Sequence, residues 1–147
     1  MPPVMTPPVI PINYAAVILA AVASMVIGFV WYGPLFGKKW MALTGMHMDK
    51  MGAMSSGSMT KLYALAALGS LVMGFVLAHA IVFASAYLHV TGISAGLQAG
   101  FWNWLGFIAP VTLGSVLWER KPWALWVLNN AYYLVTLMVM GVILAMM

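Results

Sequence analysis

Side chains able to do acid-base chemistry are scarce in this 147-residue chain, and their spacing argues against catalysis. The only carboxylates are Asp49 and Glu119, each in a polar segment between apolar runs. Two-carboxylate catalysis needs the pair close together, and a proton relay across a bilayer needs acids inside it. Neither arrangement is available. No Ser-His-acid set and no phosphate-cradling loop is present. The chain has no cysteine, which excludes disulfides, thiolate metal sites and cysteine nucleophiles. The expectation is a protein without enzymatic activity and without catalytic residues.

What remains is polar chemistry inside apolar sequence. His79 is the one titratable side chain expected within the membrane, and Asn103, Asn129 and Asn130 join it as a candidate intramembrane polar site. Gln98 lies in the same class. Unpaired amides are costly in hydrocarbon, so these groups either line a polar cavity or hold helices together. The commoner use is gluing. For His79 that means a neutral ring bonded across helices to Ser, Thr or Asn. Replacing Asn103 or Asn129 with leucine is then expected to weaken the fold or an oligomer. Haem ligation by two histidines of one chain is disfavoured, because His89 lies ten residues beyond His79 on one helix, roughly 15 Å away.

A methionine-rich stretch surrounds His47, with Met41, Met46, Met48, Met51, Met54 and Met59. Thioethers and an imidazole suit Cu(I), yet methionine is also adaptable apolar filler, and the reading taken is no metal and no cofactor. Trp102 and Trp104 are the only aromatic hint of a bound lipid, quinone or pigment.

These residues are positioned by elements that the composition makes plain. Charged residues form 5% of the chain and hydrophobic ones 65%. A soluble domain carries roughly 25% charged residues. Lipid must therefore be the solvent. Apolar runs at about 12–32, 62–88, 95–118 and 123–146 each approach the ~20 residues that cross a ~30 Å core. They lack the alternation of barrel strands and read as helices. The fold class is all-α: a polytopic membrane protein, four transmembrane helices in two hairpins, forming one domain over 1–147. Residues 1–11 are Pro-rich and uncharged, and are expected to lie extended at the surface.

Orientation follows from the charges. Lys38, Lys39, Lys50 and Lys61 sit in or beside the first loop (about 33–61), and Arg120 and Lys121 in the third. The other side has no Lys or Arg. The positive-inside rule places both basic loops in the cytoplasm and both termini outside. The basic balance is thus a topology signal, with no nucleic-acid partner implied. Around Phe36 to Leu43 a short amphipathic helix is expected in the interface.

Packing signals are weaker. Gly92, Gly96 and Gly100 recur every four residues, a strip that lets another backbone approach; Pro110 and Gly114 extend a weak region where the helix can kink. The matching segments Val72–Ala78 and Val139–Ala145 suggest a parallel repeat of two hairpins.

The aromatic turns carry a resemblance. "WYGPLFGKKW" after the first run, "FWNWLGF" in the third, "LWERKPW" at the next turn, and "NNAYYLV" with "MGVILA" in the fourth resemble the membrane family called domain of unknown function 1761. The resemblance spans most of the chain and implies a small polytopic protein, found widely in bacteria and in fungi, with no activity to carry over. Taken together, the expectation is a helical assembly protein or accessory subunit of a membrane complex. Its expected partners are the lipid bilayer and either its own copies or other membrane subunits, and its expected place is a bacterial inner membrane. A small oligomeric transporter or channel, using His79, Asn103 and Pro110, is the alternative; binding of a lipid, quinone, pigment or metal is the third reading.

Overall fold

The computed structural model describes residues 10–147, apart from the side chains of Met48 and Met51; the start of the Pro-rich segment, residues 1–9, lies outside the described residues. Helix α1 spans Tyr14–Val30 and runs on through a π-helical turn at Trp31–Leu35. Two short helices follow, α2 (Gly37–Thr44) and α3 (Met48–Gly52), then the long α4 (Ser56–Leu88). The third span is built in pieces: α5 (Gly92–Asn103), a π-helical turn at Trp104–Ile108, α6 (Ala109–Thr112) and α7 (Gly114–Leu117). Helix α8 (Trp123–Met146) completes the chain. The fold is all-α, and four units, Tyr14–Leu35, Ser56–Leu88, Gly92–Leu117 and Trp123–Met146, are long and apolar enough to cross a membrane.

Local chemistry explains the ends. Asn13 caps α1 by accepting from the Ala16 N–H, and its amide donates to the Met147 carbonyl at 3.1 Å. The start of α1 and the end of α8 therefore meet at one end of the bundle. The lysine-bearing loop and the Glu119–Pro122 turn occupy the opposite, basic end. Helix α4 begins at Ser56 rather than at Leu62, because Ser55 accepts from the Ser58 N–H and caps the polar stretch ahead of the apolar run. Hydropathy marks what suits lipid, not where a helix starts. At its other end α4 stops at His89, whose backbone is left-handed (φ 55°). Gly92 then takes φ 61° and begins α5, so its role is conformational. Arg120 supplies the left-handed residue (φ 56°) of the turn into α8.

Both π-helical turns have a proline nearby. Pro34 lies inside the first, and Pro110 two residues beyond the second. Proline donates no N–H and crowds the carbonyl four residues back, so the helix widens where that bond is lost. The third span then tightens at Leu113, between Pro110 and Gly114: its backbone stays α-helical, but its carbonyl accepts from both the Val116 and the Leu117 N–H.

The four long units form a rhombus. Helix α8 packs against α1, α4 and α5; α4 packs against α1, α8 and, more lightly, α5; α1 and α5 stand at opposite corners. The core is small: Ala20, Leu77, Ile81, Ala95, Ala99, Leu137 and Met140. Lipid is as apolar as leucine, so helices associate in it through close packing and hydrogen bonds, which favours alanine and glycine at crossings. The tightest crossing joins α5 to α8. A Cβ on Gly96 would strike the Gly141 carbonyl, one on Gly141 would strike Gly96, and one on Gly100 would stand 2.6 Å from the Leu137 carbonyl. Gly96 and Gly100 thus spend the glycine strip within the chain. The repeat has a structural counterpart: Gly74 lies against Val17 of α1 as Gly141 lies against Gly96 of α5, and each hairpin's first span carries one π-helical turn.

Replacing Gly141 with alanine should cost about 3 kcal/mol, the upper end of the overpacking range, because two backbones must separate. Gly69→Ala, whose added methyl meets nothing, should leave stability unchanged or slightly raised. Thermal unfolding in detergent compares the two.

Candidate functional site

Polar groups in the second half of the third span gather against the start of α8. Hydroxyls bond back to their own span here: Thr112 donates to the Ile108 carbonyl at 2.7 Å, and Ser115 to the Thr112 carbonyl at 2.8 Å. Asn130, only 2% exposed, crosses from α8. Its amide nitrogen donates to the Thr112 hydroxyl at 2.9 Å and to the Trp126 carbonyl at 3.1 Å. Because the single Thr112 proton is committed at 2.7 Å, the Asn130 carbonyl oxygen, 3.4 Å from that hydroxyl, is left with spare accepting capacity.

Next along α8, Asn129 accepts from the Tyr32 hydroxyl at 2.9 Å, tying α8 to the π-helical turn of the first span. Around that bond the rings of Tyr32, Trp40 and Tyr132 meet edge to face, Tyr32 lying 5.8 Å from Trp40 and 5.0 Å from Tyr132. This clamp docks α2 on the bundle.

Between α6, α7 and α8 lies an open cleft of about 400 Å³, walled by Thr112, Gly114, Ser115, Trp118, Glu119, Trp126, Asn129, Asn130 and Tyr133 among others. At its mouth Glu119 pairs with Lys121 at 2.8 Å, both groups more than half exposed. Such a pair contributes little to stability, and with the exposed Arg120 between its members the turn at the mouth keeps a net positive charge.

The residues singled out in the sequence separate into distinct places. Asn129 and Asn130 line the cleft and hold helices together, though through hydroxyl partners on other elements rather than through each other. Asn103 does not cross: its amide donates to the Ala99 carbonyl of its own helix at 2.8 Å. His79 likewise turns inward along α4. Its Nδ1 lies 2.8 Å from the Phe75 carbonyl, which can only accept, so Nδ1 carries the proton. The expected partner on another helix is replaced by a local carbonyl. Gln98 bonds Ser94 one turn back. The Trp102/Trp104 pair divides, Trp102 facing outward and Trp104 packing on the core. Lys38 and Lys39 are exposed on α2, and Arg120 and Lys121 on the turn before α8. Gly114 makes no close helix crossing; it borders the cleft, where an added methyl would meet Trp118 at 3.6 Å.

Sequence reasoning passed over Tyr32, Thr112, Ser115, Trp126 and Tyr133, and also the buried Ser24–Ser70 hydroxyl pair, 2.9 Å apart, that joins α1 to α4. One usable signal was present: Asn129 and Tyr133 are four apart, hence on one face of α8.

With this architecture in place, a family model matches residues 15–145. The chain belongs to the family described as "Protein of unknown function (DUF1761)". No curated protein and no solved structure matches it. Within this family member, then, the geometry of the cleft and of the helix crossings is what informs function.

Asn130→Leu should cost about 1–2 kcal/mol, near the upper values for hydrogen bonds between membrane helices, since it removes the bridge to Thr112. Asn103→Leu, which loses only a bond to its own helix, should cost less than about 0.5 kcal/mol by the ordinary surface-substitution range. Unfolding in mixed detergent micelles ranks them; equal losses would mean that Asn103 also bridges helices.

Proposed function

We propose that the chain is a non-enzymatic helical subunit of a membrane assembly, associating either with its own copies or with the spans of a larger complex. The observation that carries this reading is how unevenly the helices use one another. Only 11% of the third span's apolar window is buried within the chain, against 28%, 28% and 33% for the others. That span grips α8 through glycine and turns Phe101, Trp102, Leu105 and Phe107 outward. On α4, nearly every residue from Thr60 to Gly69 is exposed around the whole helix. Lipid can cover such surfaces, but outward rings beside a helix held along one narrow seam suit contact with further helices.

Charge supports one orientation in the membrane. All six Lys and Arg residues lie at the basic end or in its loops, and none at the end where α1 begins and α8 ends. The positive-inside rule supports a cytoplasmic basic end and termini on the far side, as in a bacterial inner membrane.

Gentle extraction from native membranes followed by native mass analysis tests the proposal. A homo-oligomer or a complex with other membrane subunits is expected. A single chain carrying no protein partner, in several mild detergents, would contradict it.

A further inference from the structure

We infer that the cleft between α6, α7 and α8 is a binding site for a lipid-soluble carbonyl compound: an uncharged carbonyl head carried on an apolar tail. Quinones and the ester heads of diacylglycerols share this chemistry.

The head must be uncharged. No Lys or Arg lies in the walls, and the one carboxylate, Glu119, is already paired with Lys121. No charged group in the walls is thus left to pair with a charged head. The head must also accept hydrogen bonds. Asn129 gives its oxygen to Tyr32, so its amide N–H groups have no protein partner among the described residues. The Tyr133 hydroxyl has none either, and both side chains line the cleft. Two half-buried donors on one face of α8, in a cleft open toward hydrocarbon that offers them no acceptor, suit a carbonyl.

Position and size agree. Asn129 and Tyr133 lie about 9 and 15 Å along α8 from Trp123 at the 1.5 Å helical rise, a depth that a carbonyl head on a tail in the bilayer can reach from the basic end. A cleft of about 400 Å³ holds a ring or glycerol head but not a whole lipid, so the tail leaves through the open side. Trp118, Trp126 and Tyr133 supply flat aromatic walls. On the α7 side of the cleft, Gly114 contributes no side chain to fill it.

The test uses the full chain in lipid nanodiscs. The probe is a benzoquinone with a ten-carbon tail, whose binding is read by quenching of tryptophan fluorescence, with dioctanoylglycerol as competitor. Three variants separate site from fold. Tyr133→Phe removes a hydroxyl that bonds no protein group. Tyr132→Phe removes one that does not line the cleft. Gly114→Leu fills the cleft where only Trp118 stands near.

Saturable quenching is expected, weakened about five- to tenfold by Tyr133→Phe, the loss of one hydrogen bond, and more than tenfold by Gly114→Leu, with Tyr132→Phe unchanged. If dioctanoylglycerol fails to displace the quinone, the site selects the quinone ring. If it displaces the quinone at lower concentration, the site takes the glycerol ester. Quenching that rises linearly in every form, or saturable binding that Tyr133→Phe and Gly114→Leu both leave intact, would overturn the assignment. Circular dichroism of each variant confirms that the fold is kept.

Discussion

The backbone approach of α5 to α8 is the constraint on which the rest of the structure depends. In hydrocarbon there is no hydrophobic gain from joining two apolar helices, so the third span holds its place through close packing. Gly96 against Gly141, and Gly100 against Leu137, bring two backbones together toward the end where α1 begins and α8 ends. Such a short separation leaves no room for side chains between the helices, which is why the buried residues of α5 are Ala95, Gly96, Ala99 and Gly100.

From that fixed crossing the helices run toward the basic end under different rules. The π-helical turn, Pro110 and the tightened turn at Leu113 make the third span irregular, while α8 continues unbroken. The two no longer pack flush. The polar groups left between them are held by hydrogen bonds: Thr112 and Ser115 donate to carbonyls of their own span, and Asn130 donates across to the Thr112 hydroxyl. A single feature of sequence, proline following a glycine-rich helical half, therefore produces both the tight crossing and the cleft. The first hairpin follows a similar plan with less contact: Ser24 and Ser70 bond where glycine would otherwise bring the backbones closer, and Tyr32 reaches across to Asn129.

Much of this was legible in the residues. Apolar run length gave the four long helices, and the family resemblance on the aromatic turns agrees with the matched family. The glycine strip pointed to a close crossing. What the strip could not name was its partner, because Gly141 sits among valines and methionines with no periodic mark of its own. Helix boundaries drifted for a related reason: Ser56 to Lys61 is polar yet helical once Ser55 caps it. Site residues were harder still. Asn103 and Asn129 look alike in sequence, but one faces its own helix carbonyl and the other a tyrosine nearly a hundred positions away. Which way an amide turns depends on the rotation of helices about their axes. Serines and threonines read as tolerated in any apolar helix, so the hydroxyls that complete the polar cluster carried no signal until their neighbours were fixed.

The most direct measurement is solid-state NMR of the chain in lipid bilayers, with only its 14 glycines carbon-labelled. A short-mixing carbon–carbon cross-peak between Gly96 and Gly141 is predicted, because their backbones touch although they lie far apart in sequence. Spectra in which both residues are assigned and well resolved, but without that cross-peak, would contradict the crossing and with it the origin of the cleft.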